Sequence, residues 1–183
     1  MKYWNETFEC MPREQLRALQ LDRLKKTVDK VYARVPFYRE KLQALGVGPE
    51  SINSLDDIRR LPFTTKEDLR NSYPYGMLAE PLSQIARVQA SSGTTGKPVC
   101  DGYTHNDLAM WAECVARGLT GAGADEHAVI HNAYGYGLFT GGIGIHGGAE
   151  RMGASVIPMS SGNTARQIML MQDFKAKIGR AHV

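Results

Sequence analysis

The sequence predicts an α/β protein in which a helical first third precedes a mostly parallel sheet flanked by helices. Residues 12–46 carry apolar side chains at helical spacing, whereas short β-rich runs alternate with helical ones after about residue 83. That alternation is typical of parallel strands joined by helices. We therefore expect a helical N-terminal region over residues 1–82 and an α/β region over residues 83–177. With 183 residues, of which 43% are hydrophobic, the chain is long enough to bury a core.

Two helices are expected early in the first region. Apolar residues from Leu16 to Val35 recur among charged residues at a helical period, which predicts an amphipathic helix over residues 12–35. Pro36 ends this helix, and the segment FYREKLQAL predicts a shorter one that ends at Gly46. Two later segments resemble capping boxes, in which a hydroxyl and a carboxylate satisfy free backbone N–H groups at a helix start. These pairs are Ser54 with Asp57 and Thr64 with Glu67.

In the second region, strands are predicted at IARVQA, PVCDGYT, HAVIHNA and ASVIPM. Helices are predicted at THNDLAMWAECVARGL, where Thr104 with Asp107 forms a capping box, and at TARQIMLMQDF. A strand is due after this last helix, but only IGRAHV follows it. Because that string resembles the translation of a sequencing adapter, residues 178–183 are expected to be a non-native tail and are left out of the predicted fold.

The composition argues against several classes of function. A net charge of +3, with Lys and Arg dispersed, gives no basic stripe for nucleic acid. The cysteines Cys10, Cys100 and Cys114 form no CxxC pair, which argues against a zinc site or a disulfide framework and favours a cytoplasmic setting. No stretch approaches the roughly 18 apolar residues of a membrane span, and the N-terminus has no signal-peptide pattern. Neither nucleic acid nor a membrane is therefore expected as a partner.

The segment SSGTTGKP at residues 91–98 is suited to binding an anion with several oxygens. Its small residues leave backbone N–H groups accessible, its hydroxyls donate hydrogen bonds, and Lys97 adds a positive charge. Phosphate is the natural candidate. The spacing is not that of a Walker A loop, since only two residues separate Gly93 from Gly96 and Pro98 follows the lysine. From these residues alone, a flexible turn between two strands remains the alternative.

The same string resembles the phosphate-binding signature of the adenylate-forming superfamily, which includes the acyl- and aryl-CoA synthetases. Further segments resemble the phenylacetate–CoA ligase family and follow that family's order from residue 61 to about 174. They are LPFTTKEDLR at 61–70, GYTHNDL at 102–108, YGYGLFTGG at 134–142, HGGAERMGASVIP at 146–158 and SSGNTARQ at 160–167. The resemblance implies that residues 83–177 form the first part of the large N-terminal domain of such an enzyme.

The resemblance also implies which residues bind substrates. The ATP phosphates are expected at Ser91, Ser92, Gly93, Thr94, Thr95, Gly96 and Lys97. An aryl-acid pocket is expected in YGYGLFTGG, with Tyr134, Tyr136 and Phe139 as aromatic walls and with Gly141 and Gly142 leaving space for a planar ring. These aromatic residues could instead belong to the core.

In that family, an acid and ATP form an acyl-adenylate and pyrophosphate, and CoA then displaces AMP to give a thioester. ATP, Mg²⁺ and CoA are thus the implied substrates and cofactors, and phenylacetate or a similar aryl acid is the implied acid. A homodimer of the full-length enzyme is a further candidate. The family's ribose carboxylate and catalytic lysine would lie beyond these residues, so this chain is expected to hold no catalytic residue and to be inactive alone. The alternative is a non-catalytic module that binds ATP or polyphosphate.

A glycine pattern in the second region is given a structural interpretation. Gly142, Gly144 and Gly147 fit the GxGxxG dinucleotide fingerprint. No acidic residue follows about 20 positions on, where the fingerprint needs one for the ribose hydroxyls. Close packing between helices is therefore expected to explain these glycines.

Two pairs of residues have the spacing of metal ligands on one helical face. They are His127 with His131 and His146 with Glu150. A zinc site needs a third ligand, for which the sequence gives no support, and HAVIHNA favours a strand over a helix. These histidines are therefore expected to be structural, and no metal site is predicted.

Overall fold

A computed structural model describes residues 3–91 and 97–180 of the chain, and its helices and strands confirm the α/β class. The α-helices are α1 (Glu6–Glu9), α2 (Arg13–Arg34), α3 (Pro36–Ala44), α4 (Lys66–Asn71), α5 (His105–Gly121), α6 (Thr140–Met152) and α7 (Thr164–Asp173). The strands are β1 (Arg87–Ala90), β2 (Cys100–Tyr103), β3 (Val129–Asn132), β4 (Ser155–Ile157) and β5 (Ile178–Arg180). Short 3₁₀ helices lie at Pro49–Ser51, Leu55–Arg60 and Leu82–Gln84.

The strands form two small sheets. Strands β4, β3 and β5 are parallel and adjacent in that order, as the alternation of strands and helices predicts. Strands β1 and β2 form a separate antiparallel pair in which Ala90 lies opposite Cys100. The expectation of one mostly parallel sheet is therefore correct for β3, β4 and β5 but not for this hairpin. Its connection, residues 91–99, is shorter than the dozen or more residues that a parallel crossover needs.

The segment after α7 differs from the prediction. Ile178–Arg180 forms β5, which pairs with β3 so that Ile178 lies opposite Ile130. The backbone N–H of Lys177 also donates to the Val129 carbonyl at 3.0 Å. The expectation that no strand follows α7 is wrong, because a β-branched residue and its neighbours can extend the open edge of β3. The non-native origin of residues 178–183 stays a prediction, and residues 181–183 lie outside the described part.

Each region has its own apolar cluster. In the helical region, α2, α3 and the segment after them bury Val28, Leu42, Val47 and Ile52 together. In the α/β region, α5, α6, β3 and the loops beside them enclose mainly alanines and the larger residues Ile130 and Met152. Burial of these apolar surfaces is the main stabilising contribution in both places.

The glycines of α6 allow it to pack closely on α5. A Cβ atom at Gly144 would overlap the ring of Trp111, and one at Gly148 would overlap the side chain of Val115. Gly142, Gly144 and Gly147 all lie inside α6 rather than in a turn from a strand into a helix. The GxGxxG match is therefore not a dinucleotide loop. Of its three glycines, close helix packing is confirmed for Gly144, whereas Gly142 contacts the backbone of Gly135 and a Cβ at Gly147 would contact nothing within 4 Å.

The predicted capping boxes are observed at two of three places. Ser54 with Asp57 and Thr104 with Asp107 each cap a helix, the first of them a 3₁₀ helix. The box at α4 uses Thr65 and Asp68, one position later than predicted. Two contacts explain this shift. The Asp68 carboxylate also binds Lys41 Nζ at 2.9 Å, and the Thr64 hydroxyl lies 3.1 Å from that of Tyr38.

Among residues 3–91 and 97–180, no helix is both long enough and apolar enough to cross a bilayer.

Candidate functional site

The hydroxyl-rich loop connects β1 to β2, and Ser91 and Val99 at its base are hydrogen-bonded to each other. The N–H of Ser91 donates to the Val99 carbonyl at 2.9 Å, and the N–H of Val99 donates to Ser91 Oγ at 3.0 Å. Ser91 therefore fixes the base of the loop with its backbone and hydroxyl oxygen, while its hydroxyl hydrogen can still donate. Of the other expected phosphate-binding residues, Ser92, Gly93, Thr94, Thr95 and Gly96 lie outside the described residues.

Lys97, at the other end of this loop, is exposed. Its Nζ lies 5.7 Å from the centre of the Tyr73 ring, within the range of a cation–π contact. This contact and the exposure place the ammonium group at the surface, beside Tyr73.

The base of the loop contacts the aromatic segment that the sequence assigned to the acid pocket. The Ala90 N–H donates to the Leu138 carbonyl at 3.0 Å, and Gln89 Nε2 donates to the Phe139 carbonyl at 2.8 Å. Gln89 is 1% exposed, and its Oε1 is buried with no hydrogen-bond partner in the described part of the chain. These bonds hold residues 138–139 directly beside the last residues of β1.

The aromatic segment itself connects the carboxyl end of β3 to the start of α6. In open α/β sheets, ligands bind at the carboxyl ends of parallel strands, so this is the edge where a site is expected. Tyr134 and Tyr136 are partly buried there, whereas Phe139 is 50% exposed.

Two glycines at the start of α6, Gly141 and Gly142, lie in close contact with the preceding loop. A Cβ at Gly141 would lie 2.8 Å from Cδ1 of Tyr134, and one at Gly142 would lie 2.6 Å from the carbonyl oxygen of Gly135. The space beside these glycines is filled by the chain's own tyrosine ring and backbone. Their function in this structure is to let Tyr134 and Gly135 pack against α6.

Tyr136 lies in a hydrogen-bonded group of side chains. Asn132 Nδ2 donates to the Tyr136 hydroxyl at 2.8 Å and to the Gly142 carbonyl at 2.7 Å. The Tyr136 hydroxyl also lies 3.1 Å from Nδ1 of His146, whose Nε2 lies 3.0 Å from Glu150 Oε1. His146 and Glu150 thus face each other on α6, and the other contact of His146 is with the Tyr136 hydroxyl.

Burial of Tyr136 raises the pKa of its phenol above the ordinary value of 10.0, and the negative charge of Glu150 acts in the same direction. The hydrogen bond from Asn132 opposes this shift because it favours the phenolate. The net direction is upward, so Tyr136 is a neutral phenol at physiological pH and its hydroxyl can donate a hydrogen bond.

A second buried network holds the loop after β4. His131, 1% exposed, contacts Gln167 Oε1 through Nε2 at 2.8 Å. Gln167 Nε2 in turn donates to the carbonyls of Ser160 and Gly162 at 3.0 and 2.8 Å. His131 lies in β3 while His127 is exposed in the loop before it, so the two do not share a helical face. Within the described residues, no group of three or more His, Cys, Asp or Glu could hold a metal ion.

Asn132, Gln89 and Gln167 are the site residues that sequence reasoning missed. All three are buried amides near the ends of strands or at a helix that packs against one. A polar residue at the end of a buried strand, as in HAVIHN, was the available signal, because a buried amide needs hydrogen-bond partners.

An apolar groove of about 570 Å³ lies between β2 and α5, away from the aromatic segment. It is lined by residues that include Leu78, Tyr103 and Trp111, and by none of the residues predicted to bind ATP or the acid. The residues predicted to bind ATP and the acid therefore do not line this groove, although the loop base and the aromatic segment contact each other.

The structural comparison shows which solved proteins have a similar fold. The fold is similar to 2-hydroxyisobutyryl-CoA ligase, solved in an open conformation in complex with 2-HIB-AMP and CoA, with a TM-score of 0.89 and 29% identity over 98% of this chain and 43% of that one. A structure of the same ligase in the thioesterification state gives a TM-score of 0.90, 30% identity and 39% coverage of that chain. The fold is therefore that of the N-terminal part of an adenylate-forming CoA ligase, as the sequence predicts.

The sequence comparison finds relatives with a higher identity. The chain is 58% identical to phenylacetate–coenzyme A ligase of Thermus thermophilus over 170 residues, which are 93% of this chain and 38% of the relative. It is 54% identical to the Escherichia coli protein of the same name over 93% of this chain and 39% of the relative. The predicted resemblance to the N-terminal part of phenylacetate–CoA ligase is thus confirmed. The chain spans about two fifths of the length of these curated relatives, and no family model matches it.

Proposed function

We propose that this chain carries the ATP-phosphate and acid-binding part of an ATP-dependent ligase that joins phenylacetate, or a similar aryl acid, to CoA. The observation that carries the proposal is the pair of hydrogen bonds from Ala90 and Gln89 to the carbonyls of residues 138 and 139. They bring the base of the phosphate loop and the aromatic segment together. The coverage of 38–39% of the relatives supports an incomplete enzyme, and we expect no pyrophosphate release by this chain alone.

The proposed chemistry needs this proximity. In the first half-reaction a carboxylate oxygen bonds to the α-phosphorus of ATP as the bond to pyrophosphate breaks, which gives an acyl-adenylate. In the second, the CoA sulfur bonds to the acyl carbon, and AMP leaves. Both first reactants are anions, so the protein must hold them close together and offset their repulsion with hydrogen-bond donors and positive charge.

Residues 91–97 supply such donors for the phosphates in the proposal, and Lys97 supplies the positive charge. Tyr134, Tyr136 and Phe139 supply aromatic surface for the aryl group of the acid. The described residues offer no carboxylate cluster for Mg²⁺. In the proposal Mg²⁺ enters the site with ATP, bound to its phosphates and to water, as is common for this ion.

Lys97 provides the direct test of the phosphate site. We expect Lys97→Ala to weaken binding of Mg·ATP by about tenfold or more, since a hydrogen bond to a charged group contributes about 1.5–3 kcal/mol. Isothermal titration calorimetry with the 183-residue chain measures the change. Lys25→Ala, at an exposed position on α2, is the matched control and should leave ATP binding unaltered. Equal loss in both variants, or none in Lys97→Ala, would contradict the proposed site.

The cellular setting and assembly are part of the same proposal. Cys10, Cys100 and Cys114 are all free thiols in the structure, which supports a reducing, cytoplasmic environment. We propose a homodimer only for the full-length protein, where light scattering at several concentrations would give the mass.

A further inference from the structure

A pocket lined by arginines lies where the helical region meets the α/β region. Arg117 belongs to α5 and Arg151 to α6, whereas Arg23 belongs to α2 and Phe8 to α1. The pocket has a volume of about 400 Å³, within the range of about 300–1,000 Å³ that is usual for small-molecule sites. None of the described residues expected to bind the ATP phosphates or the acid lines it. The pocket is therefore separate from the candidate site.

The guanidinium groups of this pocket are held in place by a carboxylate and an aromatic ring. Arg151 Nε donates to Glu113 Oε2 at 2.8 Å, and Arg117 Nη2 lies 3.5 Å from Glu113 Oε1. The guanidinium carbons of Arg117 and Arg23 lie 5.5 and 5.9 Å from the centre of the Phe8 ring. Among residues 3–91 and 97–180, Glu113 is the only carboxylate that pairs with any of these arginines. Because each arginine presents several N–H donors in a planar fork, donors remain for a ligand.

The pocket carries a surplus of positive charge. Its charged lining residues are three arginines and Glu113, so three positive charges and one negative charge leave a net charge of +2. The Glu113 carboxyl is ionised at physiological pH, because hydrogen bonds from Trp4 and Asn5, followed by that from Arg151, lower its pKa to about 2. Guanidinium groups around one cavity repel one another, and a bound anion offsets this repulsion. A doubly charged anion matches the surplus better than a singly charged one.

A phosphate monoester has the charge and the shape that fit these features. Near neutral pH the group carries a charge of about −1.5 to −2 and presents several strong acceptor oxygens. Guanidinium groups bind such oxygens through pairs of parallel hydrogen bonds, which makes arginine well suited to phosphate. Phe8 and Met110 also line the pocket and offer apolar surface to the organic part of the ligand.

We propose that the pocket between Arg23, Arg117 and Arg151 is a binding site for a phosphate monoester. A ligand held by these side chains contacts α2 of the helical region together with α5 and α6 of the α/β region. Its binding therefore strengthens the contact between the two regions. The inference does not depend on the proposed function, because the pocket uses neither the phosphate loop nor the aromatic segment. Inorganic phosphate shares the chemistry of the monoester, and the experiment distinguishes the two.

Isothermal titration calorimetry of the 183-residue chain with ribose 5-phosphate, inorganic phosphate and acetate tests the class of ligand. We expect ribose 5-phosphate to bind, and acetate to bind at least about tenfold more weakly, since it forms fewer charged hydrogen bonds. Absence of phosphate binding, or equal affinity for acetate, would overturn the inference. Equal affinity for inorganic phosphate and ribose 5-phosphate would overturn the monoester as the ligand and assign the pocket to free phosphate.

Arg23→Gln tests the location of the site. Arg23 has no carboxylate partner in the part of the chain that the structure describes, so its replacement should not disturb the fold. We expect the affinity for ribose 5-phosphate to fall by about tenfold or more, the value of one hydrogen bond to a charged group. Arg59→Gln, at a side chain that is 83% exposed and does not line the pocket, is the matched control. Equal losses in both variants, or no loss in Arg23→Gln, would overturn the proposed site.

Lys97→Ala separates this pocket from the phosphate loop. We expect this variant to bind ribose 5-phosphate with unaltered affinity. If Lys97→Ala loses that binding while Arg23→Gln keeps it, the monoester binds at the loop, and the inference fails while the proposed function stands. If Lys97→Ala binds Mg·ATP as tightly as the unaltered chain, the proposed phosphate site fails while the inference stands on the result with Arg23→Gln.

Discussion

The helical region and the α/β region are held together by different kinds of side-chain contact. In the helical region the buried cluster is aliphatic, and the charged contacts lie at or near the surface, such as that between Lys41 and Asp68. In the α/β region, polar side chains are themselves buried. Those of the described residues are Gln89, Thr120, His131, Asn132 and Gln167, none of which lies before residue 83.

The difference shows how each region specifies its loops. Exposed ion pairs contribute little and tolerate change, so the helical region depends on apolar burial. A buried amide that loses its hydrogen-bond partners lowers the stability of the fold. The loop that it binds can therefore adopt few conformations. Asn132 and Gln167 bind the backbone of residues 142 and 160–162 in this way, beside the carboxyl ends of β3 and β4. The region with the candidate site is therefore the one with the more exactly specified loops.

The largest effect in this comparison is expected where α6 packs on α5. Gly148→Val would force a branched side chain against Val115 and the backbone N of Ala116. Overpacking of this kind typically costs about 1–3 kcal/mol, and we expect the upper end because backbone is involved. Urea unfolding measures the change. Gly147→Val, one position away where a Cβ meets nothing within 4 Å, is the control and should be neutral or slightly stabilising. Similar losses in both variants would contradict the close packing.

A smaller effect is expected from replacing an asparagine by leucine in each region, and its cost in unfolding free energy should differ between the two regions. Asn132→Leu removes bonds to Tyr136 and to the Gly142 carbonyl, and we expect a loss of about 2 kcal/mol in the free energy of unfolding. Asn53→Leu, in the helical region, removes only an exposed 3.2 Å bond to the Glu50 carbonyl and should cost less than about 0.5 kcal/mol. Equal costs would show that buried amides do not distinguish the regions.

The fold class could be predicted because periodicity and capping are local properties of the sequence. The helix over residues 12–35 is observed as Arg13–Arg34, and Thr104 with Asp107 caps α5 as expected. The box at α4 was displaced by one residue because both candidate pairs satisfy the pattern. Only the non-local contacts of Asp68 with Lys41 and of Thr64 with Tyr38 distinguish them.

The candidate site was predictable in part. The order of motifs located the loop and the aromatic segment, and the structure describes Ser91 and Lys97 at its two ends. The function of individual residues depended on three-dimensional contacts. The sequence predicts that Gly141 leaves space for a ligand ring, whereas in the structure the Tyr134 ring lies where its Cβ would be. His146 and Glu150 lie at helical spacing and contact each other, but their contact with a tyrosine of the preceding loop could not be predicted from that spacing.

The smallest effect concerns Glu113, a charged group that joins the two regions. Its carboxylate accepts hydrogen bonds from Trp4 Nε1 at 3.0 Å and Asn5 Nδ2 at 2.7 Å, and from Arg151 Nε on α6 at 2.8 Å. The bonds from Trp4 and Asn5, followed by that from Arg151, lower the pKa of Glu113 from 4.5 to about 2. A carboxyl with a lowered folded-state pKa stabilises the fold fully above its unfolded value.

This contribution is lost as pH falls from about 4.5 toward 2, through the folded-state pKa. We therefore expect Glu113→Gln to be less stable than the parent chain at pH 7, by a difference in unfolding free energy that shrinks between pH 5 and pH 2. Urea unfolding of both chains at several pH values measures it, and Glu40→Gln on α3 controls for the removal of one exposed carboxylate. A difference that stays constant across this range would mean that the ionised carboxylate does not join the regions. In that case neutral hydrogen bonds, as in the α/β region, would also account for the contact between the two regions.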